Sequence, residues 1–335
     1  MFLKLYDFSD YEQYLWEVKN RIELDSFDES QLYTFERGYM GERICYDALK
    51  GTRGGVKLWN VRIRSNGEVQ FDFLLIKDRF IIHIDVKNFA GPYTFSNNNF
   101  VSENNYVNAN PLVQLDKAEK KLKYFCYKNN IDYQVKSYVL FINPTFELSG
   151  LEHTDKLLYS TDVSRIVKML GEGEPTNEEL YIGELLKKHH HPNSKYERIH
   201  YYPFNALKPG MKCPECRKFL PIVSGRQRIV RCDCGYKTPK NKLVLDAFRT
   251  IKILKNDAVT TADISRYTGI GKTTIRNVLK SEFETYGKNK GRKYSVKKTV
   301  KGIFESSVEY RTSSLDVDKR NISTSSEEGR EYIMS

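Results

Sequence analysis

The sequence predicts an α/β fold, and three observations carry that expectation. A helical apolar stripe at Tyr39–Leu49 is followed by three successive runs of β-type residues. An amphipathic helix then opens at Asn110-Pro111. A last apolar run, Lys136–Asn143, has the length and composition of a buried strand. Helix, three strands, helix and strand make one compact unit ending near Pro144–Gly150.

Residues 1–36 read as an acidic, partly helical lead-in. In the first helix Ile44, Cys45, Ala48 and Leu49 form the apolar stripe. Glu42 lies three residues before Cys45 and seven before Leu49, so it leans towards the buried side. Gly51-Thr52-Arg53-Gly54-Gly55 is a loop. The strands are Val56–Arg64, Glu68–Ile76 and Arg79–Lys87, joined by the hairpin-turn pairs Asn66-Gly67 and Lys77-Asp78. Proline at the first helical position opens the second helix, where Leu112, Leu115, Ala118, Leu122 and Phe125 fall at helical spacing. A parallel pairing of the last strand through this crossover is expected to be right-handed. Helices at Thr161–Leu170 and Asn177–Lys188 extend the unit. His189-His190-His191 reads as an exposed helix end rather than a metal site.

Polar groups interrupt the strands at Asp72, Asp85 and Lys87. Side chains alternate along a strand, so Asp85 and Lys87 share one face while Ile84 and Val86 take the other. Two carboxylates and an ammonium on one sheet surface suit a divalent cation beside a phosphodiester. The competing reading is an exposed ion pair worth at most ~1 kcal/mol. Carboxylates among Phe and Ile need a compensating charge, which favours the site.

At 335 residues the chain has room for two or three domains. No apolar stretch reaches the ~20 residues that span a bilayer. The start lacks a basic region followed by a long apolar core, so a cytoplasmic protein without membrane attachment is expected. Residues 205–304 hold 24 Lys+Arg against 7 Asp+Glu, while the rest holds 30 against 36. That segregation marks one region as the expected polyanion contact.

Cys45 and Cys126 sit alone in apolar helical patterns and read as packing residues. Cys213, Cys216, Cys232 and Cys234 are clustered, with fifteen residues between the two halves. Four thiolates suit tetrahedral, structural Zn²⁺, and the arrangement is zinc-ribbon-like, although the second half is CxC rather than CxxC. Beyond them, a helix at Leu243–Leu254 precedes Val259–Thr268, the turn Gly269-Ile270-Gly271 and the basic stretch Lys272–Lys280. This resembles a helix-turn-helix. Ile264 would pack against Ile275, Val278 and Leu279, leaving Lys272, Thr273, Thr274, Arg276, Asn277 and Lys280 to reach DNA. Lys288–Lys298, with Tyr294, would form a wing. Gly271-Lys272-Thr273 is not the end of a phosphate-binding loop, because Arg266 stands where that motif needs glycine.

Gly41-Glu42, Gln70-Phe71-Asp72, Asp85-Val86-Lys87-Asn88 with Gly91, and Asn110-Pro111 with Gln114 together resemble the NERD (nuclease-related) domain over roughly residues 37–150. The resemblance implies a PD-(D/E)XK restriction-endonuclease-like fold, a four-stranded mixed sheet flanked by helices, with a Mg²⁺-dependent (or Mn²⁺-dependent) phosphodiesterase site. It implies Asp72 and Asp85 as metal ligands, Lys87 as the catalytic lysine, Glu42 completing the acidic site and Gln114 as an accessory polar group. The family usually carries Glu at the position of Asp85, and Phe71 replaces the proline of the group's name.

The expected organisation is a lead-in (1–36), a nuclease-like domain (37–150), a helical extension (151–204), a zinc-ribbon-like module (205–240), a helix-turn-helix-like region (241–304) and a disordered tail (305–335). The function expected is metal-dependent hydrolysis of DNA. The alternative is a DNA-binding protein whose nuclease-like domain does not cut, and RNA is the less favoured substrate.

Overall fold

The computed structural model describes residues 1–64, 67–224, 227–286 and 293–296. The chain divides into two compact units, Met1–Leu207 and Lys208–Ser335. Asn66 of the first expected turn and the expected tail 305–335 lie outside the described residues.

The first unit is built on a mixed sheet of six strands. In chain order, β1 is Phe2–Lys4, β2 Val56–Arg64, β3 Glu68–Lys77, β4 Phe80–Lys87, β8 Gln134–Phe141 and β10 Leu157–Tyr159. Their spatial order is β1-β2-β3-β4-β8-β10. The four central strands are those expected, with β2–β3 and β3–β4 antiparallel and β4–β8 parallel. Parallel strands β1 and β10 extend both edges. The β3–β4 hairpin turns at Asp78-Arg79, one residue later than expected, with both residues at left-handed φ of 49° and 62°. That is the signature of a two-residue turn matched to strand twist.

Helix α3, Pro111–Lys128, carries β4 over to β8 and covers one face. Asn110 caps it by accepting from the Leu112 N–H, and Leu115, Ala118, Leu122 and Phe125 are buried as expected. Ala118, Leu122 and Phe125 join Val56, Leu58, Val61, Ile63, Phe71, Leu74, Ile76 and Ile81 in the main core, while Leu115 packs with Phe100, Val139, Phe141 and Phe146. Each fully buried Leu, Ile or Phe there contributes roughly 1.5–3 kcal/mol. Helix α5, Asn177–Lys188, closes this core with Ile182 and Leu186.

Helix α2 departs from expectation. It runs from Ser26 to Leu49, capped by the Asp25 side chain, so the expected boundary at 36/37 falls inside it. Its first half lacks a regular apolar stripe and is held by the aromatic rings around it, Phe35 and Tyr39 packing with Phe8 and Trp16. Trp16 belongs to α1, Asp10–Val18. Ile44, expected in the stripe, is 50% exposed, because Gly41, Glu42, Cys45 and Leu49 occupy the buried face.

A second small sheet was not legible in the sequence. It orders as β7-β6-β5-β9, with β5 at Pro92–Ser96, β6 at Asn99–Ser102, β7 at Val107–Ala109 and β9 at Glu147–Ser149. The triple histidine is corrected at one residue, His189 and His191 being exposed at the end of α5 as expected. His190 is not an exposed helix end: Nδ1 accepts from the Arg62 N–H at 3.0 Å, and Nε2 contacts Asp7 at 3.0 Å.

In the second unit β11, Ile229–Arg231, and β12, Lys237–Pro239, form a hairpin. Helices α6 (Lys240–Lys255), α7 (Thr261–Thr268) and α8 (Lys272–Glu282) follow. A further hairpin pairs β13, Phe283–Tyr286, with β14, Lys293–Val296. The expected wing, Lys288–Lys298, is described only over β14. Among the described residues no helix is long and apolar enough to cross a membrane.

Candidate nuclease and metal sites

The β3–β4 ladder ends at Phe73↔Ile84, and Asp72 and Asp85 lie one step beyond. Continued in register, Asp72 would face Asp85. Instead the Asp72 carboxylate takes the Val86 N–H at 2.8 Å. The strands therefore fork where the acidic pair sits.

Strand alternation alone does not describe Asp72. Phe71 and Leu74 both belong to the core under α3, although they are three residues apart, so β3 rotates between them. On β2, Trp59 pairs with Phe73 and Val61 with Phe71. Between them Asn60 has a left-handed φ of 57°. Lys4 donates to the Trp59 and Asn60 carbonyls at 3.0 and 2.7 Å, and Asn60 Nδ2 donates to the Asp7 carbonyl. These bonds hold the irregularity beside Asp72.

On β4 the alternation holds. Asp85 is buried and its Oδ2 lies 2.7 Å from Lys87 Nζ. Asp85 also lines a cleft of about 520 Å³ with Gln70, Asn110, Gln114 and Lys117. Gln114 is exposed on α3 at this cleft, as an accessory group would be. The Phe71 ring meets His83 edge-on at 4.9 Å. His83 and its lateral neighbour Ser137 are buried without hydrogen bonds, and burial drives the imidazole down to about 4. Nothing in the sequence pattern pointed to this pair.

The electrostatics follow from crowding. Burial, then the Asp85 charge, pushes Asp72 up to about 7 against the pull of Lys87 and the Val86 N–H. Burial alone would lower Lys87, but Asp85 and Asp72 hold it above its ordinary value. Glu42 is driven well above the carboxylate range by burial and then by Asp72. Its Oε2 accepts from Trp59 Nε1 at 2.7 Å. Glu42 thus leans inward as expected, with an indole partner the sequence did not reveal.

The helix that delivers Glu42 comes very close to β4. A Cβ at Gly41 would lie 2.8 Å from Asn88 Cβ and 3.2 Å from Ile142 Cγ2. Asn88 is stitched to α2 by Arg37 Nη2 donating to its carbonyl and by its own Nδ2 donating to the Arg37 carbonyl, each at 3.0 Å. Gly41→Val should therefore destabilise the unit by about 1–3 kcal/mol through overpacking. Helix propensity alone would predict a gain on replacing this glycine. Thermal unfolding decides the sign.

The donor set fits a hard divalent cation. Asp85 is buried with its Oδ2 paired to Lys87 Nζ, and among the described residues Asp72 accepts a hydrogen bond at Oδ2 and none at Oδ1. Carboxylate oxygens are the donors that Mg²⁺ or Mn²⁺ accept. Among the described residues, two groups have three or more ligand atoms within 4.8 Å of one another: the four cysteines and Asp25–Asp28–His200. Glu42, Asp72 and Asp85 do not form a third such group among the described residues. Asp25 and Asp28 are engaged as a helix cap and as the acceptor of the Tyr11 hydroxyl.

These features match a known family. Residues 37–142 fit the family model described as the nuclease-related domain. They form a NERD domain. The small subunit of the heterodimeric restriction endonuclease R.BspD6I, known from a crystal structure, is similar at 16% identity. That match covers 53% of this chain and 87% of that one, with a TM-score of 0.20. No curated protein matches the chain. The NERD match begins inside α2 and ends just past β8, so it takes in Glu42, Asp72, Asp85, Lys87 and Gln114.

In the second unit Cys213 and Cys232 are buried, Cys216 is half-buried and Cys234 exposed. The Sγ atoms of Cys213 and Cys234 lie 3.7 Å apart, and those of Cys216 and Cys232 3.5 Å. Four sulfurs each about 2.3 Å from one tetrahedral centre would be about 3.8 Å apart. The shortened CxC loop works because Gly235, at φ 94°, donates to the Cys232 carbonyl while the Cys232 N–H reaches Tyr236. Thiols at these distances suit Zn²⁺.

On α8, Lys272, Thr273, Arg276, Asn277 and Lys280 are exposed and Thr274 is half-buried. Ile275, Val278 and Leu279 are buried with Ile264, as expected.

Proposed function

We propose that the protein is a divalent-metal-dependent nuclease acting on DNA. The observation that supports this most is the Asp85–Lys87 pair at 2.7 Å, beside Asp72 at the fork of β3 and β4, with Asp85 lining a cleft. A Mg²⁺ or Mn²⁺ ion held by Asp72 and Asp85 would supply Lewis-acid stabilisation of charge on the phosphodiester oxygens. Lys87, kept protonated by its two carboxylates, presents a fixed ammonium to the negative charge that develops at phosphorus. The Val86 N–H holds one oxygen of the Asp72 carboxylate, which leaves the second to take the ion. Trp59 anchors Glu42, which Asp72 influences electrostatically and which would complete the acidic site. Gln114 lines the cleft as a hydrogen-bonding wall for the strand.

The second unit supplies affinity. Structural Zn²⁺ on the four cysteines would pin the 208–239 segment. Helix α8 would enter the major groove with the β13–β14 hairpin as a wing. The basic excess of residues 205–304 supports this role.

Purified protein should cut DNA with Mg²⁺ or Mn²⁺ and stop with EDTA. Arg276→Ala with Lys280→Ala should weaken duplex binding and flatten its salt dependence by roughly one unit of slope per lost phosphate contact. Salt-sensitive binding without cleavage under either metal would favour the non-catalytic alternative.

A further inference from the structure

A row of rings lies near the end of β4, in which Phe89 and Tyr93 are half-buried against the Phe100, Phe141 and Phe146 core and two tyrosines are exposed. Tyr33 is 60% exposed and Tyr106 69% exposed. Tyr33 lies one helical turn before Arg37, whose Nη1 donates to the Tyr33 hydroxyl at 2.7 Å and whose Cζ is 5.5 Å from its ring centre. The same guanidinium reaches the carbonyl of Asn88, the residue after Lys87. Phe89 follows and stacks on Tyr93, with centroids 5.2 Å apart and 17° between planes. Tyr93 pairs across β5–β6 with Ser102, which exchanges hydrogen bonds with the Tyr106 backbone. Burial raises the Tyr93 phenol, Tyr106 and Tyr33 adding to that and Arg37 opposing it, as expected if the groups share one surface.

We infer that this row is a stacking platform for unpaired bases, so the strand that enters the site is single-stranded DNA; this rests on the nuclease reading. Bases inside a duplex are already stacked on one another and offer no face to a ring. Exposed tyrosines and a guanidinium bind base faces without regard to sequence. Residues 1–207 hold 26 Lys+Arg against 29 Asp+Glu, so bulk attraction for phosphate is weak in this unit. Stacking beside Lys87 then provides the local grip on the strand. Single-stranded regions, flaps and frayed ends become the substrate class, and an intact duplex must be opened first.

The test uses the full chain in EDTA, where binding is read without cutting. Fluorescence anisotropy compares a labelled oligothymidylate strand with a duplex of equal length. Tyr33→Ala with Tyr106→Ala should lower single-strand affinity about tenfold or more and leave duplex affinity unchanged. Tyr33→Phe with Tyr106→Phe, which keeps the rings and loses the hydroxyls, should bind like the parent. An alanine pair that binds both ligands like the parent, or loses both equally, overturns the platform. Separate assays with Mg²⁺ keep the two readings apart. Loss of single-strand affinity in a protein that never cuts overturns the nuclease alone. Cutting by a protein whose single-strand affinity ignores the alanine pair overturns the platform alone.

Discussion

Lys87→Ala should abolish cleavage and destabilise the protein, whereas Asp85→Asn should abolish cleavage and leave stability equal or higher. Both lose transition-state interactions that are commonly worth a hundredfold or more in rate. Their stabilities diverge because the pair is buried. Asp85 is 5% exposed, and Lys87 is its close cation partner. Removing that cation strands a carboxylate, at a cost of about 3–5 kcal/mol. For a unit of this size that is a fall of roughly 10 °C in Tm. Asp85→Asn instead removes one of the two like charges whose repulsion raises Asp72, and leaves Lys87 facing Asp72. Differential scanning fluorimetry beside a cleavage assay reads both effects. Cleavage by either variant would sink the site assignment, and equal melting of Lys87→Ala and parent would show that the pair is not a dependent buried charge pair.

Cys213→Ser should eliminate zinc binding and collapse the 208–239 segment. Cys213 is fully buried, and the segment's small core of Met211, Leu220, Val223 and Val230 has few other apolar groups. Zinc binding contributes about 10–16 kcal/mol to the folding of small structural sites of this kind. No core of that size replaces it. The parent should carry one equivalent of zinc by elemental analysis. The variant should carry none and lose duplex affinity, while the unfolding transition of the 1–207 unit stays in place. A metal-free parent whose duplex affinity is the same with and without added zinc would exclude the structural role.

The parts legible in the sequence share a physical character. Strands β2, β3, β4 and β8 announce themselves through dense β-branched and aromatic runs, and α3 through its Asn-Pro start and clean apolar period. The placement of Asp85 and Lys87 on one face follows from strand alternation alone. What escaped depends on distant partners. Residues 26–38 are helical because rings from α1 and the N-terminal segment pack on them, not because they carry a stripe. The second sheet is made of three- to five-residue strands turned at Asn97, Asn98 and Asn105, all at left-handed φ, which read as irregular loop. The rotation of β3 at Asp72 originates across the sheet at Asn60, so no local pattern around Asp72 could carry it.

The clamp on Asn60 also has a consequence for how the domain can be isolated. Lys4 and Asp7, which hold that residue, lie thirty or more positions before the family match begins. A fragment trimmed to the match would lose β1 and leave the outer rim of β2 with unsatisfied amides and carbonyls, an invitation to intermolecular strand pairing. It would also begin within α2, beyond that helix's cap. Such a fragment would aggregate, and any loss of catalysis in it would speak of a missing brace rather than of absent chemistry.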